Sequence, residues 1–361
     1  MESTNQLQPT QVGTKNHCRQ AFLMGRCLLF ALLSFALLGC EEESRTSYLP
    51  GNSGNQGEIL VLAPAAFWKS VDADFLRSAL NKEMEGLPAA EPFFTILEVN
   101  TEGFSDIFKT HRNILQLRVD ATNKTSVNVR HDIFAKQQLQ VVITLNQESD
   151  LGAVVETQMD QILWLFHESE LNRLISRNKA FGSKEINQEI VDLTGLNLTM
   201  QQDFVVAKKA QDLVWLRLDR EKPIGGYQHQ INQGILIYSR PYIDTAQFSD
   251  SSLFKWKNDI NQLNVEGPSG SHMTISTKLY TPVFKSINFH DQAAKEMRGL
   301  WRMDGVKGVF MGGPFYALAF YAPTSQKQFM IEGYVYGPQF NKRAFIREVE
   351  AIIKSVQPSE S

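Results

Sequence analysis

Phe315-Tyr316-Ala317-Leu318-Ala319-Phe320-Tyr321, then Ala322-Pro323-Thr324-Ser325-Gln326-Lys327, then Gln328-Phe329-Met330-Ile331-Glu332-Gly333-Tyr334-Val335-Tyr336: two runs of strand length are joined by a connection of hairpin length. Aromatic and β-branched residues fill both runs, and the Pro-Thr-Ser insert supplies turn chemistry. The pair therefore reads as an antiparallel hairpin. Directly after it, residues 342–355 place Phe345, Ile346, Val349, Ile352 and Ile353 on one face at helical spacing, an amphipathic helix positioned to close over the hairpin.

Working outward, strands are expected at 203–208, 213–218 and 234–239, with Pro223-Ile224-Gly225-Gly226 as the turn between the last two. A helix over 252–263 opens at Ser251 or Ser252 and is stopped by Gly267-Pro268. Further upstream, Glu58-Ile59-Leu60-Val61-Leu62 opens a domain, and Trp68, Val71, Phe75, Leu76, Leu80 and Met84 follow at helical spacing. Strands fit 93–99, 113–119, 126–134 and 138–145, and residues 151–178 form a long amphipathic helix with charges opposite its apolar face. A shorter helix near 185–193 ends at Gly195. This mixture predicts an α+β fold of mainly antiparallel sheets with packed amphipathic helices. Both halves, 58–195 and 196–357, run from strands into a closing helix, which is consistent with two related subdomains.

The start of the chain has a different character. Arg26 precedes twelve residues, Cys27 to Leu38, of which Ser34 alone is polar. That is the length of a secretory h-region and well short of the roughly 20 residues that span a bilayer. Leu37-Leu38-Gly39-Cys40 resembles the lipobox of bacterial lipoproteins, which implies cleavage after residue 39 and a lipid, with palmitate-type acyl chains, on the Cys40 thiol. Glu2 to Gln20 makes a long n-region, and a start at Met24 would give a compact signal. Residues 40–57, with Glu41-Glu42-Glu43 and a Gly, Ser and Asn-rich stretch, read as a flexible tether. An acidic triplet after the cysteine is also compatible with export to the outer membrane.

Loss of residues 1–39 removes Lys15, Arg19, Arg26 and Glu2, leaving 33 basic and 38 acidic residues of the original 36 and 39, a net charge of −5. Such a chain is no general nucleic-acid or anionic-lipid binder. Cys18 and Cys27 leave with the signal, so Cys40 is the one mature cysteine and neither an internal disulfide nor a cysteine metal site can form.

Leu49-Pro50, Gly57-Glu58-Ile59-Leu60-Val61, the run Ile107-Phe108-Lys109-Thr110-His111-Arg112-Asn113-Ile114-Leu115, and Gly299-Leu300-Trp301 resemble an uncharacterised family of bacterial envelope lipoproteins classed as a domain of unknown function. The resemblance implies placement in the cell envelope and brings no activity, substrate or catalytic residue.

Catalytic motifs are incomplete. His167-Glu168 lacks the second histidine of H-E-x-x-H, because Leu171 stands there, and reads as a helical surface histidine. There is no G-x-S-x-G elbow, P-loop or G-x-G-x-x-G. Gly312-Gly313-Pro314 reads as a turn, and the adjacent pairs His131-Asp132 and His290-Asp291 would point to opposite faces of a strand. Trp68, Trp164, Trp215, Trp256 and Trp301 fit core packing better than a carbohydrate platform. Arg298 and Arg302 around Trp301 fit a solvated helical face, with an anion-binding edge as the sharper reading. Polar chemistry gathers at one strand entrance, Lys109 to Asn113, where Lys109, His111, Arg112 and Asn113 could receive a carboxylate or phosphate. Two functions follow from these readings. One is a non-enzymatic binding or assembly module contacting an envelope protein or an anionic ligand, with no cofactor and no metal. The other is a hydrolase of an envelope polymer with His111 or His131 as base.

Overall fold

The computed structural model describes residues 48–358. The signal segment 1–39, Cys40 and the choice between Met1 and Met24 lie outside the described residues.

Strand β1 (Glu58–Ala63) is apolar and buried from Ile59 to Ala63, the pattern of a strand covered on both faces. Helix α1 (Val71–Leu80), capped by the Ser70 hydroxyl on the Ala73 N–H, returns the chain to β2 (Thr95–Asn100), which lies parallel beside β1. One helical turn, α2 (Asp106–Lys109), then leads into β3 (Asn113–Val119) on the other side of β1, again parallel. β5 (Leu139–Leu145) continues in parallel, and β4 (Ser126–His131) alone runs antiparallel, on the outer edge of β5. The result is a five-stranded mixed sheet in the order β2-β1-β3-β5-β4. The α+β class stands, but this sheet is not antiparallel: α1 and α2 carry the chain back to the same starting end between strands, which a hairpin reading does not anticipate.

Helix α3 (Leu151–Phe181) lays Val154, Ile162, Leu163 and Phe166 with α1 on one face of that sheet. Phe104 and Phe108 cover Leu60, Leu62 and Ile114 on the other. Helix α4 (Lys184–Thr194) starts on a Ser183 cap and ends at left-handed Gly195. A two-residue strand β6 (Leu196–Asn197) later pairs with β15 (Gln357–Pro358).

The second sheet is antiparallel and eight-stranded. Along its main path β10 (His272–Ser276), β12 (Gln292–Asp304), β13 (Gly312–Ala322), β14 (Lys327–Tyr336), β9 (Tyr227–Pro241), β8 (Leu213–Ile224) and β7 (Val205–Ala210) lie side by side, and β11 (Val283–Phe289) pairs with β12. The quoted hairpin is β13–β14, with Phe315 opposite Tyr334, and the expected Gly225-Gly226 turn joins β8 to β9. Residues 298–302 belong to strand β12, so the helical reading of Arg298 and Arg302 is corrected, as is the turn at Gly312-Gly313-Pro314, which opens β13. Asp132, His290 and Asp291 all have positive φ, so both His-Asp pairs include turn positions, and His290-Asp291 make the β11–β12 turn.

Helix α5 (Asp250–Asn264) puts Leu253 and Trp256 on one face of the eight-stranded sheet, and α6 (Arg343–Lys354) puts Phe345, Val349 and Ile353 on the other. Gly333 on β14 permits that approach, because a Cβ there would collide with Val349. Helix α3, whose apolar face rests on the first sheet, meets α6 through Leu171, Leu174 and Ala351.

Candidate functional site

The expected contact segment is the bend from α2 into β3. Asn113 is fully buried there: its amide donates to Glu58 O and to Glu170 Oε1, both at 2.8 Å, and its oxygen accepts from Arg173 at 2.6 Å. Glu170 also receives Arg173 at 2.9 Å and Arg112 at 3.4 Å. Burial pushes the Glu170 carboxyl up, but Arg173, Arg112 and the Asn113 amide together hold it below the usual carboxylate range. His111 is 5% exposed, with Nδ1 2.9 Å from Asn113 O and Nε2 3.7 Å from Glu58. Burial holds its pKa below the ordinary imidazole value against the pull of the Asn113 carbonyl and Glu58. Lys109 pairs with Asp106 at 2.7 Å and keeps 40% of its side chain exposed, whereas Arg112 keeps 18%. Of the four residues, two point inward, one spans the boundary and one reaches solvent.

The same bend receives the chain's own upstream segment. Ser53 N–H donates to Thr110 O and Arg112 N–H to Ser53 O, both at 2.9 Å, while Lys136 N–H donates to Pro50 O and Asn52 Nδ2 to Lys136 O, both at 2.8 Å. Gly54, at φ +89°, rests on the His111 ring, where any Cβ would overlap Nε2. The reading of residues 40–57 as a flexible tether is therefore corrected from Pro50 onward. Backbone pairing with 110–112 and 136 offsets the chain entropy that Gly, Ser and Asn composition would otherwise leave uncompensated.

A second polar assembly, absent from the sequence reading, lies where α3 meets α6 and β12. His167 is fully buried, so the surface-histidine reading is corrected: its Nε2 faces Glu350 Oε1 at 3.1 Å, and its ring lies 5.0 Å from Phe93 and 5.2 Å from Trp164. Arg298 from β12 binds the same Glu350 oxygen and stacks on Tyr316, whose hydroxyl donates to Glu296 at 2.8 Å. Burial pushes the Glu350 carboxyl up, yet Arg298 and His167 outweigh it and hold the group well below the usual range. Burial dominates at His167 and keeps its pKa below the ordinary value despite Glu350. Arg347, also fully buried, is brought down to about 10 by burial, lies over Phe94 and donates to Phe93 O.

The signal for this assembly was a stripe. Arg343, Arg347, Glu350 and Lys354 recur at helical spacing beside the apolar face of α6. Each reaches across: Arg343 to Pro92 O at 2.6 Å, Arg347 to Phe93, Glu350 to His167, and Lys354 to Glu296. Of these four contacts, Glu350 with His167 is the one made with α3.

Trp164 stands at the open edge of this assembly, 41% exposed. A depression of about 220 Å³ lies on one side, with Met84, Phe93, Leu163 and Arg298 among its walls and the ion pairs Lys82–Asp160 (2.7 Å) and Lys285–Glu85 (2.8 Å) at its mouth. Another, lined in part by Leu171, Ile175, Ile287 and Phe289, lies on the other. Trp256 and Trp301 are buried, as core packing requires. Among the described residues two histidines approach a carboxylate within 4 Å, His111 and His167, and both are buried, while His131 is exposed at the end of β4. No group of three metal-ligating side chains occurs among the described residues.

Residues 52–179 match the family described as Domain of unknown function (DUF8532), and residues 183–355 match Domain of unknown function (DUF4837). No curated protein matches the chain. Among solved structures, the Ran-binding protein Mog1p of Saccharomyces cerevisiae is similar at 10% identity and TM-score 0.28, over 46% of this chain and 91% of that one. The solved structure of a Mog1 E65A mutant is similar at 10% identity and TM-score 0.27, over 46% of this chain and 92% of that one. Scores this low carry no argument about function.

Proposed function

We propose that this chain of two adjoining domains of unknown function is a lipid-anchored protein of the cell envelope, held at the outer membrane by acyl chains on Cys40, whose body binds a segment of a partner protein over Trp164. The observation that carries the binding reading is Trp164: a large ring left 41% exposed between two depressions. An exposed tryptophan beside apolar hollows is the kind of anchor on which binding energy concentrates. The ion pairs around the rim present both signs of charge to the polar groups of an extended peptide. Acyl chains on Cys40 would hold the protein firmly, since each buried CH₂ contributes about 0.8 kcal/mol. An anionic contact at the Lys109–Asn113 bend is the second reading, supported by the exposure of Lys109, with Arg112 partly accessible beside it.

Full-length chain challenged with a displayed library of random peptides separates the two. Peptides that the protein retains should bind Trp164→Ala roughly tenfold more weakly, about 1.4 kcal/mol, and should bind the Lys109→Ala, Arg112→Ala double variant unchanged. Undiminished binding to Trp164→Ala removes the groove, and loss in the double variant moves the contact to the bend. For the anchor, labelled palmitate should enter the protein and not Cys40→Ala. Label persisting in that variant excludes Cys40 as the site.

A further inference from the structure

We infer that the membrane meets the lower rim of the five-stranded sheet, the end at which β1, β3 and β5 begin. This rests on acylation of Cys40 and adds to it an orientation. Were the tether loose as far as Glu58, eighteen residues beyond Cys40 could extend about 60 Å and let any face of the body approach the bilayer. The chain is instead fixed at Pro50 and Ser53, on Lys136 and on the Thr110–Arg112 backbone. Only nine residues then lie between Cys40 and Pro50, a reach of at most about 35 Å. The anchor therefore leaves from this rim.

The rim is also shaped for a lipid surface. Ile107, on α2, is 75% exposed and Ile133, just beyond β4, is 41% exposed. The Phe104–Phe134 ring contact, 6.5 Å between centroids, ties the two turns that carry these isoleucines. Below them Leu60, Leu62 and Ile114 form a rigid apolar base. Exposed aliphatic side chains at the point where an acylated chain departs suit the interface between headgroups and acyl chains.

Acylated full-length protein in phosphatidylcholine vesicles, with and without brominated acyl chains, tests the orientation. An environment-sensitive dye on Ile107→Cys should be quenched by brominated lipid at least twofold more than the same dye on Lys124→Cys, beyond the far end of β3. A Gly-Ser insertion after Ser47 that doubles the tether should shrink that difference without disturbing the folded body. Equal quenching at the two positions, or a difference that survives the insertion, overturns the orientation while leaving acylation intact. A chain that carries no acyl mass and does not bind vesicles instead removes the anchoring reading, and the orientation with it.

Discussion

Two buried charge sites in this molecule resemble each other locally and differ in what they join. Lys257 on α5 and Glu332 on β14 pair at 2.8 Å, each 1% exposed, with Tyr238 donating to the same Glu332 oxygen at 3.1 Å and the ammonium 4.2 Å from the Phe315 ring. Everything in that pair belongs to the eight-stranded sheet and its own helix. Glu350 instead collects Arg298 from β12 and His167 from α3, so a single carboxylate ties the helix of one sheet to a strand of the other. Burying charge is costly in both places. A pair inside one layer can be exchanged for apolar side chains, whereas a hub between layers holds two bodies in register.

The largest expected effect is therefore at Glu350. Glu350→Ala leaves Arg298 buried without its carboxylate, and breaking such a set costs about 3–5 kcal/mol, to be read as a lower urea midpoint. Substitution by glutamine should recover part of the loss, because it can still accept from His167 and Arg298.

The contrasting prediction concerns the pair. Lys257→Met together with Glu332→Leu should leave stability within about 1 kcal/mol of the parent or raise it, since buried ion pairs often yield to well-packed apolar groups. A loss as large as that of Glu350→Ala would erase the distinction between the two sites.

Acidity gives a smaller and more specific test. Burial holds the His167 pKa below its ordinary value of 6.5. As pH falls through that ordinary value the unfolded chain takes up a proton that the native state refuses, and stability declines. His111, also depressed, adds in the same direction. Glu350, depressed from 4.5, contributes stability above that value that is lost progressively as pH falls below it. His167→Gln should thus flatten, without abolishing, the decline in denaturation midpoint between pH 7 and pH 5. An unchanged slope would mean that His167 titrates alike in both states.

The parts of the fold that sequence made legible are those whose polar and apolar residues sort by solvent. The β13–β14 hairpin, the long helix and the last helix carry such patterns, and each lies within a few residues of its expected place. Strand β12 was not read, because its inward positions include Glu296 and Arg298, which interrupt the apolar alternation. The charged side of α3 was read as solvated for the same reason: its partners, Arg112 and Glu350, lie 58 and 183 positions away. The continuous apolar run Ile59–Ala63 marks a strand covered on both faces, as in a parallel sheet, but the runs at 113–119 and 126–134 mix polar residues in and leave the direction of the first sheet open. Composition from Pro50 to Gln56 points to a spacer, and composition cannot reveal backbone hydrogen bonds to residues 110–112 and 136.

Hydrogen exchange along a urea series, followed by mass spectrometry on the parent chain and on Glu350→Ala, tests the hub most directly. Peptides from β3 and β5 and peptides from β13 and β14 should lose protection at one common urea concentration in the parent, and at two separate concentrations in the variant. Two separate concentrations already present in the parent, or a common shift of both sheets in the variant, would contradict the claim that Glu350 joins them.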